Sequence, residues 1–255
     1  MNIQDKAIQT LRVLSAEEIN EANSGHPGIA LGAASLIHSL YYHAMNIDPA
    51  HSNWINRDRF ILAGGHGSSL LYSVLHLAGY KLSIDDLKGF RKIHTLTPGH
   101  PELGVTDGVD CSSGPLGQGV PTAVGMAIAE AHLHEKFPSV IDHYTYVLCT
   151  DGEFQEGVAY EGMSLAGKLG LNKLICLFDS NDIQLDGEVK VCFNENIKTQ
   201  QSGRKPYIQS TGENAPGCRQ PGLALPYGDA TSQRRCASCQ LRRTLPRLSP
   251  FRLSP

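Results

Sequence analysis

Long apolar runs, an export signal and a strong net charge are all missing from this 255-residue sequence. No run is long enough to span a bilayer, and the N-terminal "MNIQDKAIQTLRVL" has neither the basic start nor the apolar block of a secretory signal. The formal net charge is only −3, which does not indicate a nucleic-acid partner. We therefore expect a protein that works without a membrane and without nucleic acid.

Cysteine is present, but in the odd number of seven and without regular spacing. Scattered cysteines in a chain without an export signal are typical of reduced thiols, so we expect a cytoplasmic protein. Apolar residues make up 41% of the chain, which is enough for a core. The length is compatible with one large domain or two small ones.

The chain changes character near residue 198, so we predict one domain over 1–198 and a tail over 199–255. Lysine is absent after Lys205, while Pro, Ser, Gln and Arg become frequent and no periodicity remains. Such a segment buries too little apolar surface to offset its ordering entropy, and we expect it to be irregular or disordered. Two interpretations stay open: a native disordered tail, or non-native sequence from a shifted frame or a cloning junction.

Residues 1–198 show the pattern of an α/β fold. Apolar residues recur at helical spacing from Ile3 to Ile19, and "GIALGAASLIHSLYYHAM" predicts a second, continuous helix. Two short apolar runs without alternation, "YTYVLCT" and "KLICLFDS", are typical of strands buried on both faces. The stretch between them is long enough for a crossover helix. The pattern therefore predicts a parallel sheet flanked by helices on both faces.

Three histidines occur in closely similar turns: His26 in "SGHPG", His66 in "GGHGS" and His100 in "PGHPE". A glycine before each histidine allows a sharp turn or a close approach to a ligand. Histidine can donate to a phosphate or move protons near neutral pH. We therefore expect the three side chains to converge on one cleft. The nearby "GPLGQG" precedes a helix, as anion-binding turns do, but the pattern is weak by itself.

Two polar residues follow neighbouring predicted strands. Asp151 ends the first strand, and Asn181 comes just after the second. Ligands of open parallel sheets bind outside the carboxyl ends of the strands, so these side chains should lie together. Carboxylate and amide oxygens suit Mg²⁺ or Ca²⁺ carried in with a diphosphate.

Several motifs, in order, resemble the N-terminal domain of transketolase from about residue 7 to about residue 198. They are "ANSGHPGIALGAA", "GGHGSSLLYSVLHLAGY", "TPGHPE", "GVDCSSGPLGQGVPTAVGMAIAE" and "DGEFQEGVAYEGMSLAGKLGLNKLICLFDSNDIQLDG". The resemblance implies the diphosphate-binding fold of thiamine diphosphate enzymes. It also implies that Asp151, Asn181 and the main-chain oxygen of Ile183 hold the divalent cation, with Gly152 against the diphosphate.

The same resemblance assigns roles around the cofactor. His66 would contact the diphosphate and face the substrate, while Gly114 and Leu116 would lie near the rings of the cofactor. His26 and His100 would line the substrate channel and help to move protons. These roles follow from matching motifs and remain expectations here.

The implied activity belongs to the pentose phosphate pathway. Thiamine diphosphate would attack a ketose phosphate and pass a two-carbon ketol unit to an aldose phosphate. Glu156 would lie at the interface of a homodimer, linked to the carboxylates that activate the cofactor.

The sequence departs from the family pattern in two ways. Thr150 stands where the metal motif usually has glycine, and its β-branched side chain is expected to shift the local backbone. No second domain is recognisable after Lys198, so we expect a fold incomplete at its C-terminal end, although "KPYIQS" faintly resembles a late strand.

We therefore expect the chain to be inactive alone and to need a second domain or subunit. The alternatives are an inactive truncated fragment, or a component of another thiamine diphosphate enzyme. The pairing of "SGHPG" with "TPGHPE" disfavours the latter.

Overall fold

A sheet of five strands, in the order β1-β2-β3-β6-β7, organises the chain. The computed structural model describes residues 2–181, 183–184, 187–195, 197, 207–211 and 223–224. The strands of this sheet are β1 (Arg59–Leu62), β2 (Thr145–Thr150), β3 (Leu174–Ser180), β6 (Tyr207–Thr211) and β7 (Leu223–Ala224). The first four are parallel neighbours, and β7 pairs antiparallel with β6. A separate two-stranded pair is formed by β4 (Ile183–Gln184) and β5 (Gly187–Glu188).

Helices cover both faces of the sheet. Their bounds are α1 (Ile3–Ala22), α2 (Pro27–Gly32), α3 (Ala34–Ser39), α4 (Ser68–Ala78), α5 (Ile84–Leu87), α6 (Gly119–Lys136) and α7 (Gly157–Leu169). Successive strand residues point to opposite faces. Accordingly Tyr146 and Leu148 join the core formed with α1 to α4, whereas Val147 and Cys149 join the core formed with α6 and α7. The predicted parallel sheet with helices on both faces is therefore confirmed.

The segment predicted as one long apolar helix is divided. Helix α2 ends at Gly32, the chain passes through Ala33 (φ −86°, ψ −1°), and α3 follows. A single π-helical turn, Leu40–Ala44, then closes with the Met45 amide bonded to the Leu40 carbonyl. The prediction of a continuous helix is wrong because apolar periodicity records burial and does not register such changes of backbone pitch.

Strands β6 and β7 lie in the segment for which the sequence predicts little regular structure. The backbone of β6 pairs with β3 from Cys176↔Tyr207 to Ser180↔Thr211. The prediction of an irregular tail is therefore wrong for residues 207–211 and 223–224, because backbone pairing with a buried strand needs no apolar periodicity of its own. The rest of that segment lies outside the described residues.

Among the described residues, no helix combines the length and the apolar character that a membrane span requires.

Candidate cofactor site

The carboxyl ends of β2 and β3 bring together the two polar residues predicted from the sequence. Thr150 and Asp179 are register partners in the parallel pair. Asp151 is the first residue of a 3-10 turn, Asp151–Gln155. The backbone N–H of Asn181 donates to Asp151 Oδ2 over 2.9 Å. The predicted juxtaposition is confirmed, and the role of these residues as metal ligands stays a prediction.

A second buried acid, Asp179, lies beside this pair and was missed by the sequence reasoning. Burial and, to a smaller extent, the negative charge of Asp151 raise its pKa to about 6, and a hydrogen bond with the Asn181 side chain opposes the shift. Two carboxylates therefore share one small volume, which favours binding of a cation. The signal was present in "FDSND", where the strand carries an acid before its end.

The predicted third ligand, the main-chain oxygen of Ile183, belongs to β4. This strand pairs with β5 and lies against the Asp151–Gln155 turn. The backbone of Ile183 is thus near the turn that carries Asp151. Coordination of a cation by the main-chain oxygen of Ile183 stays a prediction.

The glycine-rich loop 114–119 packs against the turn that carries His66. A Cβ added to Gly65 would lie 2.8 Å from the Gly114 nitrogen, so a side chain there would force the two loops apart. Gly114 has φ +146° and lies beside His100, since a Cβ on Gly114 would be 3.2 Å from the His100 Cγ. Both glycines are needed because the backbones approach so closely.

Leu116 and Gly152, both predicted to contact the cofactor, adjoin each other. A Cβ on Gly152 would lie 3.3 Å from Leu116 Cδ1, and Leu116 is 42% exposed. The glycine leaves room next to Asp151, and an exposed leucine offers an apolar surface at the same place. This arrangement fits a ligand that has both an anionic part and an apolar ring.

The three predicted histidines come together although they are far apart in sequence. The rings of His26 and His66 have centroids 5.2 Å apart in an edge-on arrangement. Burial, together with the nearby His26 and His100, lowers the pKa of His66 to about 4. Burial also lowers the pKa of His26 and of His100, and Arg91 adds to both shifts. The cleft therefore presents neutral imidazoles near pH 7, able to accept protons.

Glu156 lies between the Asp151 turn and α7, against Gly117 of the glycine-rich loop. The acid that binds this loop directly is Glu153, which the sequence reasoning did not single out. Its Oε2 accepts from the Gly117 amide at 2.8 Å, and its Oε1 is buried without a hydrogen-bond partner among the described residues. Burial, together with the charge of Glu156, raises the pKa of Glu153 to about 7, and the hydrogen bond from the Gly117 amide opposes the shift. Glu153 and Glu156 thus extend the acidic edge of the sheet.

Thr150 adopts an ordinary backbone conformation at the start of the turn. Its backbone is extended (φ −124°, ψ 175°), a conformation open to any residue. The side chain is buried, and its Cγ2 would be 3.1 Å from a Cβ placed on Gly64. The β-branched residue therefore fits here because the neighbouring strand end carries a glycine.

Another acidic cluster lies at the opposite end of the sheet. Ligand atoms of Glu130, His134 and Asp142 lie within 4.8 Å of one another. However, the Lys173 ammonium bonds Glu130 at 2.7 Å and also bonds Asp142. A cationic side chain already neutralises these acids, so this cluster is a structural ion pair.

Comparisons with known proteins agree with the fold. Residues 3–214 match the family described as "Transketolase, thiamine diphosphate binding domain". The transketolase of Bacillus subtilis is 56% identical over 200 residues, covering 77% of this chain and 30% of the relative. That of Streptococcus pyogenes is 55% identical over 201 residues, covering 77% and 28%.

Solved structures give the same result. Transketolase from Leishmania mexicana superimposes with a TM-score of 0.76 at 46% identity, covering 78% of this chain and 30% of that one. Transketolase from Campylobacter jejuni gives 0.75 at 50% identity, covering 78% and 32%. The class is thus a thiamine diphosphate-binding domain. The chain belongs to the transketolase family, and it spans about 30% of the length of the curated relatives named here.

Proposed function

We propose that this chain forms the diphosphate- and metal-binding part of an enzyme that moves a two-carbon ketol unit from a ketose phosphate to an aldose phosphate. The observation that carries the proposal is the pairing of Asp151 with Asn181 at adjacent strand ends, in a chain of the transketolase family. The reaction belongs to the pentose phosphate pathway by this assignment.

The residues present fit thiamine diphosphate and a divalent cation. Asp151, Asn181 and the Ile183 carbonyl supply hard oxygen ligands suited to Mg²⁺ or Ca²⁺. Gly152 leaves space for a diphosphate beside them, and His66 would donate to it. Gly114 and Leu116 would border the rings of the cofactor. The buried acids at this edge give the cation a further electrostatic reason to bind.

The protein's own share of the chemistry is orientation and proton transfer. When bound, thiamine diphosphate supplies a carbon nucleophile and an electron sink. The imidazoles of His26, His66 and His100 are neutral near pH 7 and would accept protons from sugar hydroxyls and return them. Their placement in one cleft converts these transfers into steps between preoriented groups.

The remaining wall of the site would come from a second domain or from a separate subunit. We propose residues 1–198, extended by the paired strand β6, as the domain, with Glu156 at the interface of a homodimer. Helix α7, which begins directly after Glu156, exposes apolar side chains, and this supports packing against another chain. We keep the cytoplasm as the proposed location, because seven scattered cysteines are typical of a chain with reduced thiols.

Calorimetric titration of the full chain with thiamine diphosphate, with and without Mg²⁺, tests the proposal. We expect magnesium-dependent binding that Asp151→Asn weakens by at least about 100-fold, since even supporting groups around a metal contribute about 10–100-fold. Asp142→Asn removes an acid from the other end of the sheet and should leave binding unchanged. Equal binding by Asp151→Asn and the natural chain would refute the metal site.

A ketol-transfer assay then distinguishes a subunit of a split enzyme from an inactive fragment. Activity that appears only after addition of a second-domain chain supports a split enzyme. No activity in the presence of that chain, together with intact cofactor binding, identifies an inactive fragment.

A further inference from the structure

One cationic side chain in the histidine cleft has no part in the chemistry described above. Arg91 lies between two of the histidine turns. Its Nη1 donates to Ser24 Oγ over 2.8 Å, and Ser24 precedes His26 by two residues. On the other side, a Cβ on Gly99 would lie 3.5 Å from Arg91 Cγ, and Gly99 directly precedes His100. The arginine is therefore hydrogen-bonded to the first turn and lies beside the second.

The backbone of Arg91 is held in an unfavourable conformation. Its φ is +59°, in the left-handed region, which costs a non-glycine residue about 1 kcal/mol. The Arg91 amide donates to the Thr97 carbonyl at 2.9 Å, and the guanidinium carbon lies 5.5 Å from the centroid of the Phe90 ring. Such backbone strain is typical of functional sites. Here the strained residue is the one whose side chain enters the cleft.

The charge of Arg91 is not neutralised within the described residues. None of their carboxylates lies within ion-pair distance of it, whereas the adjacent Lys92 pairs with Glu21 at 3.2 Å. The Arg91 Nε is buried and has no hydrogen-bond partner among the described residues. Burying an unpaired donor of a cation is costly, so its position near the histidines needs a reason.

We propose that Arg91 is a positioning residue of the substrate cleft, which ties the His26 turn to the His100 turn and sets an unpaired positive charge beside both imidazoles. The catalytic role of Arg91 rests on the proposed function. The link between the two turns and the electrostatic effect of Arg91 on the imidazoles do not. Arg91 is the charged group that faces both His26 and His100. The titratable groups near them are the other histidines of the cleft: His26 acts on His100, and both act on His66. The consequence is that both rings stay neutral and ready to accept a proton.

The experiment is a histidine titration by NMR on the full chain, with signals assigned by single histidine substitutions. Arg91→Gln keeps a donor for Ser24 but has no charge, so the pKa of His26 and of His100 should both rise. Arg91→Lys keeps the charge and should hold both pKa values close to those of the natural chain. Lys92→Met is the matched control and should change neither. His143, which lies beside Arg59 and not Arg91, serves as the internal reference.

The result that overturns the proposal is an Arg91→Gln chain with natural circular dichroism and unchanged titration of both histidines. Equal shifts in Arg91→Gln and Arg91→Lys would also overturn it, because they would show a packing effect without a role for charge. If Arg91→Gln does not fold, Arg91→Met provides the second neutral variant. Failure of the natural chain to bind thiamine diphosphate would refute the proposed function and leave these titrations interpretable.

Discussion

The two ends of the parallel sheet carry similar numbers of acids but treat them in opposite ways. At the amino end, Glu130 and Asp142 bond Lys173, and Asp110 pairs with Arg57 at 2.5 Å. The buried Asp58 at this end has no ion pair among the described residues, but it accepts hydrogen bonds from the backbone amides of Asn46 and Tyr144. At the carboxyl end, buried acids face each other. The pKa of Asp179 rises to about 6 through burial and Asp151, and that of Glu153 rises to about 7 through burial and Glu156.

The two ends of the sheet differ in whether their acids have basic partners. Within the part of the chain that the structure describes, neither Asp179 nor Glu153 has a lysine or arginine at ion-pair distance. Like charges in a buried volume destabilise the fold unless a proton or a cation neutralises them. The acids of the amino end are therefore satisfied within the chain, whereas those of the carboxyl end leave negative charge that the proposed cation would neutralise.

The largest expected effect concerns a buried acid without an ion-pair partner among the described residues, which lies away from both ends of the sheet. Glu18 in α1 is 3% exposed, its Oε1 accepts from Ser73 Oγ at 2.7 Å, and burial raises its pKa to about 9. Because the folded pKa exceeds the unfolded one, the stabilisation is complete below about pH 4.5 and is lost as pH rises towards 9. The natural chain should lose about 4 kcal/mol of unfolding free energy between pH 5 and pH 8, and Glu18→Gln should abolish this loss.

Urea unfolding at pH 5, 6.5 and 8 provides the measurement. Glu17→Gln, at the exposed neighbouring position, is the control and should keep the natural pH dependence. An identical pH dependence in Glu18→Gln and the natural chain would show that Glu18 does not titrate in this range.

The next effect concerns the amino end. Glu130→Gln should lower the unfolding free energy by about 2 kcal/mol, because it leaves Lys173, 24% exposed, with only Asp142 as partner. Urea unfolding at pH 7 would measure the change. A variant as stable as the natural chain would remove the contrast between the two ends.

The opposite sign is expected at the carboxyl end. Asp179→Asn removes the repulsion from Asp151, so without metal at pH 8 it should raise the unfolding free energy by about 1 kcal/mol. The same denaturation experiment applies, and saturating Mg²⁺ with thiamine diphosphate should reduce the gain. Destabilisation by Asp179→Asn without metal would mean that this end, too, is built for stability.

The smallest effect tests whether the unusual residue at the strand end matters. Thr150→Gly keeps an extended backbone that any residue can adopt, but it loses the packing of the side chain against Gly64. We expect destabilisation of about 0.5–1 kcal/mol and cofactor affinity within about twofold of the natural value. A large gain in affinity would show that Thr150 obstructs the diphosphate site.

The sequence predicted those parts of the fold and site that depend on local pattern. Strands β2 and β3 were predictable because their unbroken apolar runs are buried on both faces, and Asp151 and Asn181 followed from the parallel topology. The division near Ala33 was not predictable from periodicity, since apolar residues continue across it.

The missed site residues have a common cause. Asp179 and Glu153 matter because of burial and neighbouring charge, which only the tertiary structure supplies. Arg91 belongs to none of the motifs, and its importance comes from two turns that are distant in sequence. In contrast, the glycines beside the histidines signalled close backbone approach directly.

Strand β1 pairs with β2 although the chain travels from Leu62 to Thr145 between them. During synthesis at roughly 5–20 residues per second, β1 and α4 must wait several seconds for that partner. The apolar side chains and the unpaired backbone edge of β1 are exposed for this whole interval. Forming a contact between segments so distant in sequence is also slow. We therefore expect chaperone dependence early in synthesis, with β2 as the segment whose arrival commits the chain to its fold.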